Sequence, residues 1–156
     1  MAKIERKYLA HFIDVGFEVY ERLGKDLEEY SPSMSAQVDV KKNIMGETAI
    51  QISGYEKTAA VEPYYAEEGS KLFEKLQAII DGGLVLDDLR VQVIEVKLWE
   101  NTGEHNYTAY AENAYIEITS YGGDTTGYQI PFTLHYVGDR VKGSFDLVNM
   151  IFTPEK

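Results

Sequence analysis

One stretch, Glu67 to Gly83 (EEGSKLFEKLQAIIDGG), is the only segment of the chain with the clear spacing of an amphipathic helix. Leu72, Phe73, Leu76, Ile79 and Ile80 recur at the helical period and make one apolar stripe, with Lys71, Glu74, Lys75, Gln77 and Asp81 on the other side. Glu67 and Glu68 suit the positive end of the helix dipole, and Gly82-Gly83 supplies a left-handed stop. Almost everything else reads as strand. A single helix with one apolar side needs a sheet to lie on. The expected fold is therefore mainly β, a sandwich or partly open barrel of antiparallel strands, with one flanking helix at about 67–82.

At 156 residues the chain reads as a single domain, 1–156, long enough to bury a core. It has no cysteine, which excludes disulfides and thiolate metal sites. The opening MAKIERKYLAHF is charged and holds no apolar run of the length a signal peptide or membrane span requires. A formal charge of −11 and the lack of a basic patch argue against a protein that grips nucleic acid.

Along the chain, residues 1–15 mix charge with Tyr8, Leu9, Phe12, Ile13 and Val15, and read as a strand or as an arm that docks on a neighbour. Residues 20–23 suit a short strand. Residues 25–35, with Glu28-Glu29 and Ser31-Pro32-Ser33, read as an exposed loop. Residues 36–42 and 48–55 alternate around a turn at Met45-Gly46-Glu47, with Val38, Val40, Ile50 and Ile52 on one side, and predict an antiparallel pair. Residues 57–66 then lead through Pro63 into the helix. Residues 89–99 are the most β-like run, yet Val91 and Val93 are out of phase with Ile94, Val96 and Leu98. Such a slip means a bulge or a strand covered on both faces. Strands at 107–111 and 115–120 and a long turn at 121–127 follow. Gly138-Asp139 suits a type II′ turn, which predicts a hairpin with Tyr136 opposite Val141, Leu134 opposite Gly143, Phe132 opposite Phe145 and Ile130 opposite Leu147. Pro131 marks a sheet edge or bulge, and residues 150–153 suit a last short strand.

No chemistry-bearing constellation emerges. His11, His105 and His135 are scattered, none at metal-ligand spacing, and each reads as a surface or edge residue. Gly122-Gly123-Asp124-Thr125-Thr126-Gly127 lacks the lysine and following helix of a phosphate loop. The acidic pairs Glu28-Glu29, Glu67-Glu68 and Asp87-Asp88 read as solvated surface, not as the unlike carboxylates a hydrolase needs in a cleft. Asn106-Tyr107-Thr108 is a glycosylation sequon of little meaning without a secretory route. No catalytic, cofactor or metal residue is therefore assigned. The aromatic content, twelve tyrosines and Trp99, is that of strands and interfaces; it also suits a sugar-stacking face.

The order of these parts carries a resemblance. Tyr20-Glu21-Arg22-Leu23-Gly24 leads to an acidic loop. A strand pair follows, turning at Asn43-Ile44-Met45-Gly46-Glu47, then Tyr64-Tyr65-Ala66-Glu67-Glu68-Gly69 and the helix. Ser120-Tyr121-Gly122-Gly123-Asp124-Thr125-Thr126-Gly127 runs into Gln129-Ile130-Pro131-Phe132 near the end. Over essentially its whole length the chain resembles the tail tube (major tail) proteins of long-tailed bacteriophages and prophages, which are related to the tube proteins of type VI secretion. That resemblance implies a β-sandwich flanked by one helix and a structural virion protein that is not an enzyme. It also implies hexameric rings of self-associated subunits stacked into a tube, with other tail proteins (tape measure, terminator, baseplate) as partners. The resemblance further implies that DNA passes down the bore during ejection without specific binding, that no membrane or cofactor is involved, and that assembly takes place in the bacterial host cytoplasm.

An acidic wall suits such a conduit, because like charge keeps a polyanion from sticking while it slides. Asp39, Glu47, Asp139 and Asp146 are the candidates to face the bore. Two other readings compete: a monomeric β-sandwich that binds carbohydrate through its aromatics, and a small enzyme using an acidic pair.

Overall fold

The computed structural model describes residues 2–16, 19–24, 27 and 29–155. Lys25, Asp26 and Glu28, part of the stretch read as a loop, lie outside the described residues. The strands run β1 (Leu9–Asp14), β2 (Tyr20–Leu23), β3 (Ser33–Lys42) and β4 (Thr48–Val61), followed by the helix α1 (Lys71–Gly82). After it come β5 (Arg90–Gly103), β6 (Asn106–Ile118), β7 (Gly122–Asp124), β8 (Gly127–Gln129), β9 (Phe132–Asp146) and β10 (Ile151–Pro154). The main sheet is eight-stranded and orders as β2-β1-β5-β6-β9-β4-β3, with β10 on β9 beside this path. Its pairings are antiparallel. Mainly β with one flanking helix is therefore the observed class.

The phase slip in β5 is now explained. Val91 and Val93 join a cluster with Ile13, Ala114, Ile116, Leu134 and the helix residues Leu72, Leu76 and Ile79. Ile94 and Val96 join a second with Phe12, Ala109, Ala111 and Phe145. The ladder to β6 is regular from Arg90 to Lys97, so β5 is a strand covered on both faces and not a bulged one there. The sheet also coils. Phe12 of β1 and Phe145 of β9 have ring centroids 4.8 Å apart, although three ladder steps across a flat sheet would span about 14 Å.

The helix begins at Lys71, later than its acidic prelude suggests. Ser70 is the N-cap and its Oγ accepts from the Phe73 amide at 3.3 Å. The carboxylate at this positive end comes from β2: Glu21 accepts from Ser70 Oγ and from the Leu72 amide, both at 2.9 Å. Glu67 and Glu68 precede the helix instead of forming its first turn. At the other end Gly83 adopts the left-handed conformation, φ 58°, and closes the helix as expected.

The hairpin expected at Gly138-Asp139 does not form. Residues 132–146 are one strand, and both halves pair with β6: Asn113 with Val137 through Ile118 with Phe132, and Asn106 with Asp146 through Ala111 with Val141. Between these runs β9 takes four steps where β6 takes two, and Gly138, at φ 76°, absorbs the excess. The long edge of β6 offers more ladder bonds than a local turn would. The strands expected at 107–111 and 115–120 are likewise one strand, β6. Residues 121–127 hold a small β7–β8 ribbon. Pro131 lies between β8 and β9, and its carbonyl accepts from the Thr119 amide at 3.1 Å. Of the remaining stretches, residues 9–14 are a strand paired on both edges, and Tyr30 is buried in the core.

Candidate functional site

The expected pair at 36–42 and 48–55 is present and longer than its alternation alone indicated. Val38 lies opposite Ile52 and Val40 opposite Ile50. A register shift between Gln37 and Val38 keeps the apolar set in phase, so that Ala36 faces Tyr55 and Met34 faces Lys57. β4 has β9 as a second neighbour only over Thr58–Val61; from Lys57 outward it pairs with β3 alone. The hairpin therefore stands off the sheet, and β3 is a ten-residue edge. Met34, Val38, Val40, Ile50, Ile52 and Tyr55 are all exposed. The opposite side carries Gln37, Asp39, Lys41, Gln51 and Glu56, with Gln37 Nε2 donating to Glu56 at 2.9 Å. A contiguous apolar strip of this kind on a soluble sheet marks a contact surface.

Behind the hairpin lies a polar network that sequence reading missed. Lys57 Nζ is 2.8 Å from Glu112 Oε1, and Arg140 Nε is 3.4 Å from the same oxygen. Arg140 also donates to Glu95, which lies 3.2 Å from His11 Nε2. The Tyr30 and Tyr136 hydroxyls are 2.8 Å apart; Lys57 sits over the Tyr136 ring and Arg140 over that of Tyr110. Arg140 follows the extra residues of β9, so the bulge carries its guanidinium back over β5 and β6. The hydrogen bond from His11, then the charges of Arg140 and Lys57, hold the Glu95 carboxyl down at about 2 against the opposing effect of burial. Burial pushes the Tyr30 hydroxyl up to about 12 and that of Tyr136 higher still. The two acids share one bridging cation, so the network ties five strands together and presents no free acid–base pair. One signal for it was available: Glu95 shares the phase of Val91 and Val93, a charge at a core position.

His11 corrects the expectation of a surface or edge histidine, being only 3 % exposed. His105 is exposed, and His135 sits beside Glu117 at 2.7 Å on the exposed side of β9. The glycine-rich loop is the β7–β8 turn, where Asp124 accepts from the Thr126 amide at 2.8 Å. Among the described residues no group of three or more His, Asp or Glu is placed to hold a metal, and no helix is long and apolar enough to cross a membrane. Of the acids proposed to face a bore, Asp39 and Asp139 are exposed. Glu47 accepts from Asn43 Nδ2 at 3.3 Å in the hairpin turn, and Asp146 accepts from the amides of Val148 and Asn149. Of the exposed aromatics, Trp99 stands on β5, Tyr55 on β4 and Tyr121 just ahead of β7.

The chain combines a coiled antiparallel sheet, one helix on a face and a long hairpin that stands clear. The SPP1 tail tube, determined by solid-state NMR and cryo-EM, has this fold: it matches with a TM-score of 0.66 over 90% of this chain and 78% of that chain, at 15% sequence identity. No protein-family model matches the sequence, and no curated protein matches it significantly.

Proposed function

We propose that this protein is a structural subunit of a phage tail tube. Its copies join head to tail into a hexameric ring, and the rings stack into a conduit for DNA. The observation that carries the reading is the β3–β4 hairpin, whose apolar side nothing among the described residues covers. An exposed edge beside an uncovered apolar strip is an aggregation hazard in a monomer. In a closing head-to-tail assembly both are buried by the next copy. The polar side, with Asp39, then faces a water-filled bore, joined by Asp139 on β9. The segment ahead of β1 and the stretch ahead of β3 serve contacts with neighbouring subunits. The role is that of a virion component with no catalytic residue, and tape measure, terminator and baseplate proteins are its partners at the tube ends.

Negative-stain microscopy of the purified protein tests this: rings or tubes are expected, and uniformly monomeric particles at all concentrations would refute it. Within an assembled tail, Asp39→Lys with Asp139→Lys is expected to slow DNA ejection while leaving tubes intact. Unchanged ejection would remove the acidic-wall idea alone.

A further inference from the structure

The tip of the hairpin is apolar with lysines behind it, and a groove elsewhere on the molecule is apolar with acids beside it. At the tip, Asn43 Oδ1 accepts from the amides of Met45 at 2.9 Å and Glu47 at 3.0 Å, while the Asn43 amide donates to the Glu47 carbonyl at 3.0 Å. This closed turn holds Ile44 fully exposed and Met45 nearly so, a pre-organised apolar prong. Lys41 and Lys42 stand directly behind it, adjacent cations in a chain of net charge −11.

The groove lies between the C-terminal end of α1 and β6, lined by Ile80, Leu84, Leu89, Ile118 and Tyr121. Between the lining residues Leu84 and Leu89 in sequence, Leu86 is 78 % exposed on a backbone at φ 57°, a conformation that costs a branched residue energy. Asp81, Asp87 and Asp88 make the neighbouring surface acidic.

We propose that this groove receives the Ile44–Met45 tip of a second copy of the chain, with that copy's lysine pair against the acidic margin. The inference rests on the self-assembly reading and adds to it which two surfaces meet. Tip and groove are different surfaces, so each copy offers one and accepts one. Such a contact is heterologous and propagates into a ring or a filament, where a self-complementary patch would stop at a dimer.

The chain has no native cysteine, so any disulfide formed joins introduced cysteines. Ile44→Cys with Leu86→Cys in one chain is expected to give, on oxidation, a reducible ladder of multimers on a non-reducing gel. Lys41→Glu with Lys42→Glu should suppress that ladder, and Asp87→Lys with Asp88→Lys should restore it. Rings or tubes seen by microscopy whose double-cysteine subunits cross-link no more than Ile44→Cys alone would overturn the inference and leave the assembly reading standing. A chain that neither assembles nor cross-links refutes both.

Discussion

The β5–β6 pair and the β3–β4 hairpin make an instructive contrast. Both are long antiparallel pairs of alternating sequence joined by a tight turn. In β5–β6 even two carboxylates are enclosed: Glu112 is buried and Glu95 nearly so, each with a cation in reach. In the hairpin even Val38, Val40, Ile50 and Ile52 are open to solvent. Alternation decides which side chains share a face, but ladder neighbours decide whether that face is covered. β5–β6 is flanked by β1 and β9; from Lys57 outward the hairpin has no ladder neighbour among the described residues.

The largest effect is expected where the enclosed pair depends on its charges. Glu112→Leu removes the carboxylate that Lys57 and Arg140 share. A buried ion pair broken from one side costs about 4 kcal/mol, a fall in melting temperature of roughly 10 °C for a chain of this size. A melt unchanged in Glu112→Leu would show the network to be idle and erase the contrast. Ile94, fully buried on the other face of β5, comes next: Ile94→Ala should cost about 3 kcal/mol in urea denaturation.

A pH titration separates the two regions in another way. The folded state lowers Glu95 from an ordinary 4.5 to about 2. A depressed carboxyl contributes stability that is present above the unfolded value and lost as pH falls from about 4.5 toward 2. Allowing for solvent reaching the network past Arg140, the loss is about 2 kcal/mol. Glu95→Gln, within the enclosed pair, should flatten the stability curve across that window. Tyr30, raised to about 12, makes the opposite limb: stability should decline as pH rises from 10 toward 12, and Tyr30→Phe should reduce that decline.

Much of this contrast was legible in the sequence, and the part that was not has a physical reason. The helix and the hairpin follow from short-range period, and the two phases of β5 already limited it to a bulged strand or one covered on both faces. Gly138-Asp139 misled because it meets every local condition for a tight turn, while the competing edge of β6 lies far away in sequence. His11, Lys57, Glu95, Glu112 and Arg140 sit on separate strands, so no spacing rule joins them. Tertiary pairing outranks local propensity where long strands are on offer.

The smallest effect on folding is expected at the hairpin, and it is the sharpest test of the comparison. Val40→Thr with Ile50→Thr keeps β-branched residues in both strands and replaces an exposed apolar cross-strand pair by a polar one. Because nothing among the described residues covers either side chain, the stability of the monomer should shift by no more than about 0.5 kcal/mol. If that face is where another copy sits, the same change should abolish higher-order species in sedimentation velocity. A large loss of stability would mean the strip is buried within the chain after all. Unaltered assembly would mean that the hairpin's open apolar side is not what joins the subunits, and the inferred use of the contrast would fail while the contrast itself remained.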